Sequence, residues 1–281
     1  IMLYGRMSRN LKSPIYRTDS QNVKHYAKIL TYPCGVVDIL ACSDPVFTEK
    51  GWEIAEDYRY SGKGRKSEKK RKASDPKAED LERSMRRARA KLRRLALANN
   101  FRWFVTLTLD PAKVDSHDGA EVVRKLNAWC SNMVQRRGLK YILIPERHKK
   151  GGIHFHGFFS DCVDVVESGH FDKDGHAIFN LPQWTLGFTT AIQLYDDYQK
   201  AVAYVCKYIG KQGEKPAGRW YYSGGDLVEP VVSYAELSPA ELRNAYGDKA
   251  IIFDIPGKLM AVANGIVLEQ VQTVEKLVDK L

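Results

Sequence analysis

His154 and His156 flank Phe155. In a strand, side chains alternate, so both imidazoles would point to one face and Phe155 to the other. Two imidazoles at that spacing can chelate one divalent ion, although a lone pair of this kind more often has an ordinary structural role. The preceding run, YILIPER (141–147), strengthens the metal reading. If the five residues 148–152 form the hairpin loop, Glu146 stands directly opposite His154 and shares the face of both histidines. A slip of one residue would send the carboxylate to the wrong side. Two histidines and one carboxylate with open positions suit a catalytic metal. Such mixed ligation permits Mn or Mg and does not exclude Zn. His148, two residues beyond Glu146, is either a substitute ligand or, more simply, an exposed loop histidine.

A second group of reactive side chains lies in YQKAVAYVCKYIGK (198–211). Read as part of a helix from about Tyr195 to Ile209, it has a core stripe of Tyr198, Ala201, Val202, Val205 and Ile209. Tyr204, Lys207, Tyr208 and Lys211 form a second stripe, with two Tyr-x-x-Lys units stacked one turn apart. The plain reading is packing tyrosines with lysines extended to solvent. The chemical reading is a tyrosine oxygen that attacks a phosphodiester. A phenol of pKa ~10 needs help near neutral pH. A metal-bound phosphate and nearby ammonium groups supply it.

Antiparallel strands and helices would have to position these residues. FRWFVTLTLDP (101–111) reads as a strand, about 120–135 as a helix, and 141–147 and 153–159 as paired strands. The stretch 160–190 reads as loop-rich. Residues 26–47 read as short strands broken by turns, Ser238-Pro239 as a helix start, and 266–281 as an amphipathic helix. With no long parallel crossovers, the pattern fits an α+β fold with an antiparallel sheet backed by helices. Thr106 and Thr108 would face the active side or serve only as strand residues. Arg219, Trp220, Tyr221 and Tyr222 would stack on unpaired bases or fill core and turn positions.

The chain has 281 residues, 44% apolar, enough for a real core. Its net charge of +10 is unevenly placed. Residues 63–94 hold 15 Lys/Arg and 5 Asp/Glu, leaving 29 of each sign elsewhere. Residues 61–74 read as a basic linker, and 76–98 as a helix opened by Asp75 and Pro76. Arg83, Arg86, Arg87, Arg89, Lys91, Arg93 and Arg94 cover most of that helix, which has no acid after Glu82. A solvated helix usually alternates sign, whereas a rod of one sign suits DNA.

Three segments in order, FVTLTLDP (104–111), HFHGFF (154–159) and YVCKYIGK (204–211), resemble motifs I, II and III of HUH endonucleases of the rolling-circle replication-initiator class. Conjugative relaxases of that superfamily place the tyrosine before the histidines. The doubled YxxK resembles two-tyrosine initiators of phages, plasmids and mobile elements. The resemblance implies a five-stranded antiparallel sheet with flanking helices in a nickase domain over 99–215. Residues 1–60, 61–98 and 216–281 would then be an N-terminal accessory segment, a basic linker with its helix, and a C-terminal accessory segment. It further implies that Glu146, His154 and His156 hold a divalent metal and that Tyr204 or Tyr208 cuts single-stranded or hairpin origin DNA. The cut would leave a 5′-phosphotyrosine and a free 3′-OH, with Lys207 and Lys211 supplying positive charge.

The five scattered cysteines form no CxxC pair, which argues for free thiols in a reducing compartment. No run approaches 18 apolar residues, and no signal sequence is evident. A cytoplasmic location, in a bacterial host by the resemblance, is therefore expected, with no membrane partner. The GKGRKS at 62–67 fails the phosphate-loop spacing, so a separate helicase and a host polymerase are expected partners. Competing readings are an HUH transposase acting on element ends, a non-catalytic single-stranded nucleic-acid-binding protein, and a zinc hydrolase, for which the HExxH signature is missing.

Overall fold

The computed structural model describes residues 24–44, 47–48, 78–194, 198–211, 213–255 and 258–267. The chain divides into two compact units, one of residues 71–230 and one of 1–70 with 231–281. The second unit opens with β1 (Lys24–His25), β2 (Ala27–Tyr32), β3 (Val36–Cys42) and β4 (Phe47–Thr48), the short strands that the turn residues punctuate.

The unit of residues 71–230 begins with α1 (Ala78–Asn99), ended by Asn100 in the left-handed conformation at φ 44°. There follow β5 (Trp103–Leu109), α2 (Gly119–Arg137), β6 (Tyr141–Arg147) and β7 (Ile153–Phe159). Next come β8 (Val166–Phe171), β9 (Ala177–Asn180), β10 (Gly187–Gln193), α3 (Tyr198–Cys206) and β11 (Tyr222–Gly224). Asp118 caps α2 by accepting from the Ala120 and Glu121 backbone N–H groups. The seven strands form one antiparallel sheet in the order β11-β6-β7-β5-β10-β9-β8, two strands more than the resemblance implies. Strands β8 and β9 occupy the stretch expected to be loop-rich. Most of β8 is exposed on both faces, so its sequence lacks the apolar alternation that marks a strand.

One face of this sheet is the core. Val105, Leu107, Leu143, Phe155 and Phe159 pack with Val122, Leu126, Trp129, Cys130 and Met133 of α2. Gly157 sits among them because a Cβ there would collide with the Ile142 carbonyl oxygen of the neighbouring strand. The opposite face carries Thr106, Thr108, Glu146, His154 and His156.

The other unit is completed by β12 (Val231–Ala235), α4 (Pro239–Tyr246), β13 (Ala250–Ile255) and β14 (Lys258–Val267). Its five-stranded sheet has the order β12-β2-β3-β14-β13, with Leu242 of α4 in its core. Ser238 and Glu241 form a capping box at the expected start of α4. Residues 266–267, expected to open a helix, end β14 instead, where they pair with β3. The rest of that expected helix and the basic linker 61–74 lie outside the described residues. None of the helices among the described residues is long and apolar enough to cross a membrane.

Candidate metal and tyrosine site

The hairpin of β6 and β7 sets the metal-ligating group. The His148 N–H donates to the Gly152 carbonyl, closing the loop at the expected residues. The register then places Glu146 opposite His154 and Ile144 opposite His156. Glu146 Oε2 lies 3.4 Å from His154 Nε2 and 3.0 Å from His156 Nε2, and the two imidazole nitrogens are 3.2 Å apart. Two ligands at right angles with bonds of about 2.1 Å are separated by about 3.0 Å, and two at a tetrahedral angle by about 3.4 Å. The three donor atoms therefore already have the spacing of a shared coordination sphere. Glu146 and His156 are only 8% and 9% exposed.

Neighbouring groups tune each ligand. Burial pushes His156 down to about 4, aided by His154, so its imidazole is neutral at neutral pH. Burial likewise lowers His154. For Glu146, burial favours the protonated form, but hydrogen bonds with Lys211 and His154 and the nearby charges outweigh it and hold the carboxyl below its usual range. Lys211 Nζ donates to Glu146 Oε1 at 2.7 Å, which leaves Oε2 facing the histidines. Thr106, paired with His156 across β5 and β7, places Oγ1 3.0 Å from His156 Nδ1. With the ring proton on Nδ1, this contact aims the Nε2 lone pair at the cluster. Of the two readings of Thr106, the geometry favours the active side; the strand alternation in FVTLTL was its only sequence signal. His148 is exposed, its ring 5.8 Å from that of His154 and edge-on to it. It stands outside the three-residue ligand group.

The tyrosines come to the same face from α3. That helix ends at Cys206, three residues earlier than the stripe suggests, and the chain tightens into i→i+3 turns through Lys211. The Tyr208 ring stacks on His156, with centroids 4.2 Å apart at 21°. The Tyr204 and Tyr208 hydroxyls are 2.7 Å apart. Burial, the Tyr204 hydrogen bond and the Glu146 charge raise the Tyr208 pKa. Tyr204 is half exposed and edge-on to Phe104. Lys211 lies over the Tyr208 ring, 5.4 Å from its centroid. Lys207 is exposed beyond the helix end. Six of the seven expected catalytic and metal residues thus have mutual contacts, and Lys207 stands at their edge.

The basic helix is fastened to this tyrosine segment. Arg89 donates from Nε (3.0 Å) and Nη2 (2.7 Å) to the Ile209 carbonyl, an acceptor left over where α3 ends. Gly210 has φ 73°, and a Cβ on it would collide with the Met85 sulfur. Trp220 Nε1 donates to Ser84 Oγ. Arg89 therefore has a structural duty that its place in a run of arginines conceals. Arg83 and Arg86 form exposed pairs with Asp80 and Glu82, and Arg94 donates to the Ala90 carbonyl. Arg87 and Lys91 are exposed, and Arg93 is half-buried near Cys206. Trp220 and Tyr222 are 8% and 5% exposed, which fits their core reading; Arg219 lies over the Tyr222 ring. A shallow cleft beside Tyr208 is bounded by Pro145, Glu146, Glu214, Pro216 and Trp220.

No curated protein matches the chain, and no solved structure does. Residues 102–213, about two fifths of the chain, match the family model for the replication-associated protein ORF2 group. The matched segment contains all of the ligand group and both tyrosines, and it supports a replication-initiator family for this protein.

Proposed function

We propose that this protein is a rolling-circle replication initiator that nicks single-stranded origin DNA by tyrosine transesterification. The observation that carries the reading is the Tyr208 ring stacked on His156, a member of the Glu–His–His group, with the Tyr204 hydroxyl hydrogen-bonded to that of Tyr208. A nucleophile and a metal-ligating triad in one place suit phosphoryl transfer.

A divalent ion, Mn or Mg in this reading, would be held by Glu146, His154 and His156 and would polarise the scissile phosphate. Tyr204 or Tyr208 attacks phosphorus through its phenol oxygen, and the bond from phosphorus to the 3′ oxygen breaks. The nucleophile loses its proton and the leaving 3′ oxygen gains one, so the strand is left with a free 3′-OH and a 5′-phosphotyrosine. The second hydroxyl donates to the first as its charge develops, as in other charge-assisted hydrogen bonds. Lys211 holds Glu146 in place and adds positive charge, and Lys207 borders the approach. Because the phosphodiester energy is kept in the covalent link, a 3′-OH can reverse the step and religate the strand.

The test is a covalent adduct with labelled single-stranded origin DNA in Mn or Mg. Wild type is expected to form it, and Tyr204→Phe with Tyr208→Phe together to abolish it. The single mutants assign the nucleophile. Absence of an adduct from wild type in either metal overturns the reading, and DNA binding that survives both EDTA and loss of both tyrosines would then favour a non-catalytic binding protein.

A further inference from the structure

The sheet face that bears the Glu–His–His group continues past it. Hydrogen-bonded pairing aligns Glu146, His154, Thr108 and Phe188 in one row across β6, β7, β5 and β10. The next row runs through His156, Thr106 and Thr190. Farther out, His170 of β8 pairs with Ile178, and Val166 with Asn180, on this same side. Helix α2 covers the opposite face.

The six exposed residues of this extension are Thr108, Phe188, Thr190, Asn180, Val166 and His170. Phe188 is 68% exposed. Hydroxyls, an amide, an imidazole and a phenyl ring make up the surface, with neither a carboxylate nor an ammonium or guanidinium among them. Such a face does not repel a polyanion, yet it offers phosphate no strong cation. It suits the other half of a nucleotide: an aromatic ring stacks on a base, and short polar groups hydrogen-bond to base edges.

Building on the proposed nicking reaction, we infer that this face seats the unpaired DNA bases flanking the scissile phosphate, with Phe188 as the stacking platform. Phe188 is two strands from His154, about 10 Å at ordinary strand spacing. A base stacked there belongs to a nucleotide adjacent to, or one removed from, a phosphate at the ligand group. The charges that handle phosphate (Lys207 and Lys211) lie with the tyrosines, and the base-reading surface lies on the far strands. The two halves of the substrate are thus divided along one sheet face.

The same hairpin provides its own control. Phe171 is also 68% exposed but pairs with Ala177, one residue out of phase with His170, so it points to the opposite face. Binding of fluorescein-labelled oligothymidylate to the full chain would be measured by anisotropy across a salt series, with metal omitted. Phe188→Ala is expected to weaken binding roughly tenfold, the scale of one base stack removed. The slope of log K against log salt should not change, because every phosphate partner is still present. Phe188→Trp should restore affinity, and Phe171→Ala should behave as wild type. Phe188→Ala binding as tightly as wild type, or Phe171→Ala losing as much, would overturn the inference. So would sedimentation that shows wild type as a dimer and Phe188→Ala as a monomer, since the face would then join two copies. The adduct assay keeps the two readings apart. Failure of wild type to form an adduct while Phe188→Ala still loses binding sinks the nickase and keeps the face; the converse sinks the face alone.

Discussion

At the residue scale, the site rests on three ligand atoms 3.0–3.4 Å apart and on the side chains that aim them. Thr106 touches the ring nitrogen of His156 that faces away from the cluster, so Thr106→Val should keep the fold and weaken Mn binding by about 10–100-fold, read by calorimetry. His154→Ala should abolish tight binding. The depressed His156 pKa also has a consequence for the metal-free protein. The unfolded chain takes up a proton near pH 6.5, whereas the folded chain does so only near pH 4. Between these values the unfolded state binds more protons, so stability rises with pH across the window and levels off above it. Glu146, whose pKa is also lowered, acts in the same direction as the pH falls. Urea melts from pH 4 to pH 7 should show this slope, and His156→Gln should flatten it. The histidine spacing was legible in the sequence because strand alternation is local. Thr106 was legible only as one of two facing threonines, since its partner nitrogen is 50 residues away.

At the element scale, a hairpin and a helix end are brought into contact. Closure of the loop at 148–152 fixes the register, and with it which side Glu146 faces. Gly157 makes that pairing tight, so Gly157→Ala should destabilise the unit by about 1–3 kcal/mol or more, measured by chemical denaturation. The tyrosines depend on a different element. Arg89 reaches from α1 to the Ile209 carbonyl next to Tyr208, and a hydrogen bond from a charged donor is worth about 1.5–3 kcal/mol. Arg89→Ala should therefore slow adduct formation at saturating DNA by roughly tenfold or more and leave Mn affinity unchanged, with Arg89→Lys in between. The helical stripe carried Tyr204 and Tyr208 to one side, as the sequence implies. The early end of α3 was not legible, because it depends on Gly210 meeting Met85 and on a carbonyl captured by a helix more than 100 residues upstream.

At the scale of the whole molecule, charge and chemistry are separated along the chain. The excess of positive charge lies in residues 63–94, outside the ligand group and the tyrosines. On α1 the inner residues hold the tyrosine segment, while Arg86, Arg87 and Lys91 remain exposed. Changing those three to Gln should lower the salt slope of DNA binding by about 0.7 for each phosphate that is no longer neutralised. The adduct rate at saturating DNA should stay near that of wild type. An unchanged slope would show that the helix is not the DNA grip.

The sequence by itself determined the α+β class, the strands at 141–147 and 153–159, the shared face of both histidines and the order of the motifs. These follow from periods of two and 3.6 and from turn residues, which are local properties. Only the tertiary structure decided that β8 and β9 extend the sheet, that Arg89 serves the tyrosine turn, and that Trp220 and Tyr222 belong to the interior. Each of these depends on a partner distant in sequence: a strand edge that accepts another strand, a carbonyl left over at a helix end, or a core that excludes water from an aromatic ring. No pattern within one segment encodes such a partner, so the same arginine or tryptophan reads equally well as a DNA contact until the fold supplies its neighbour.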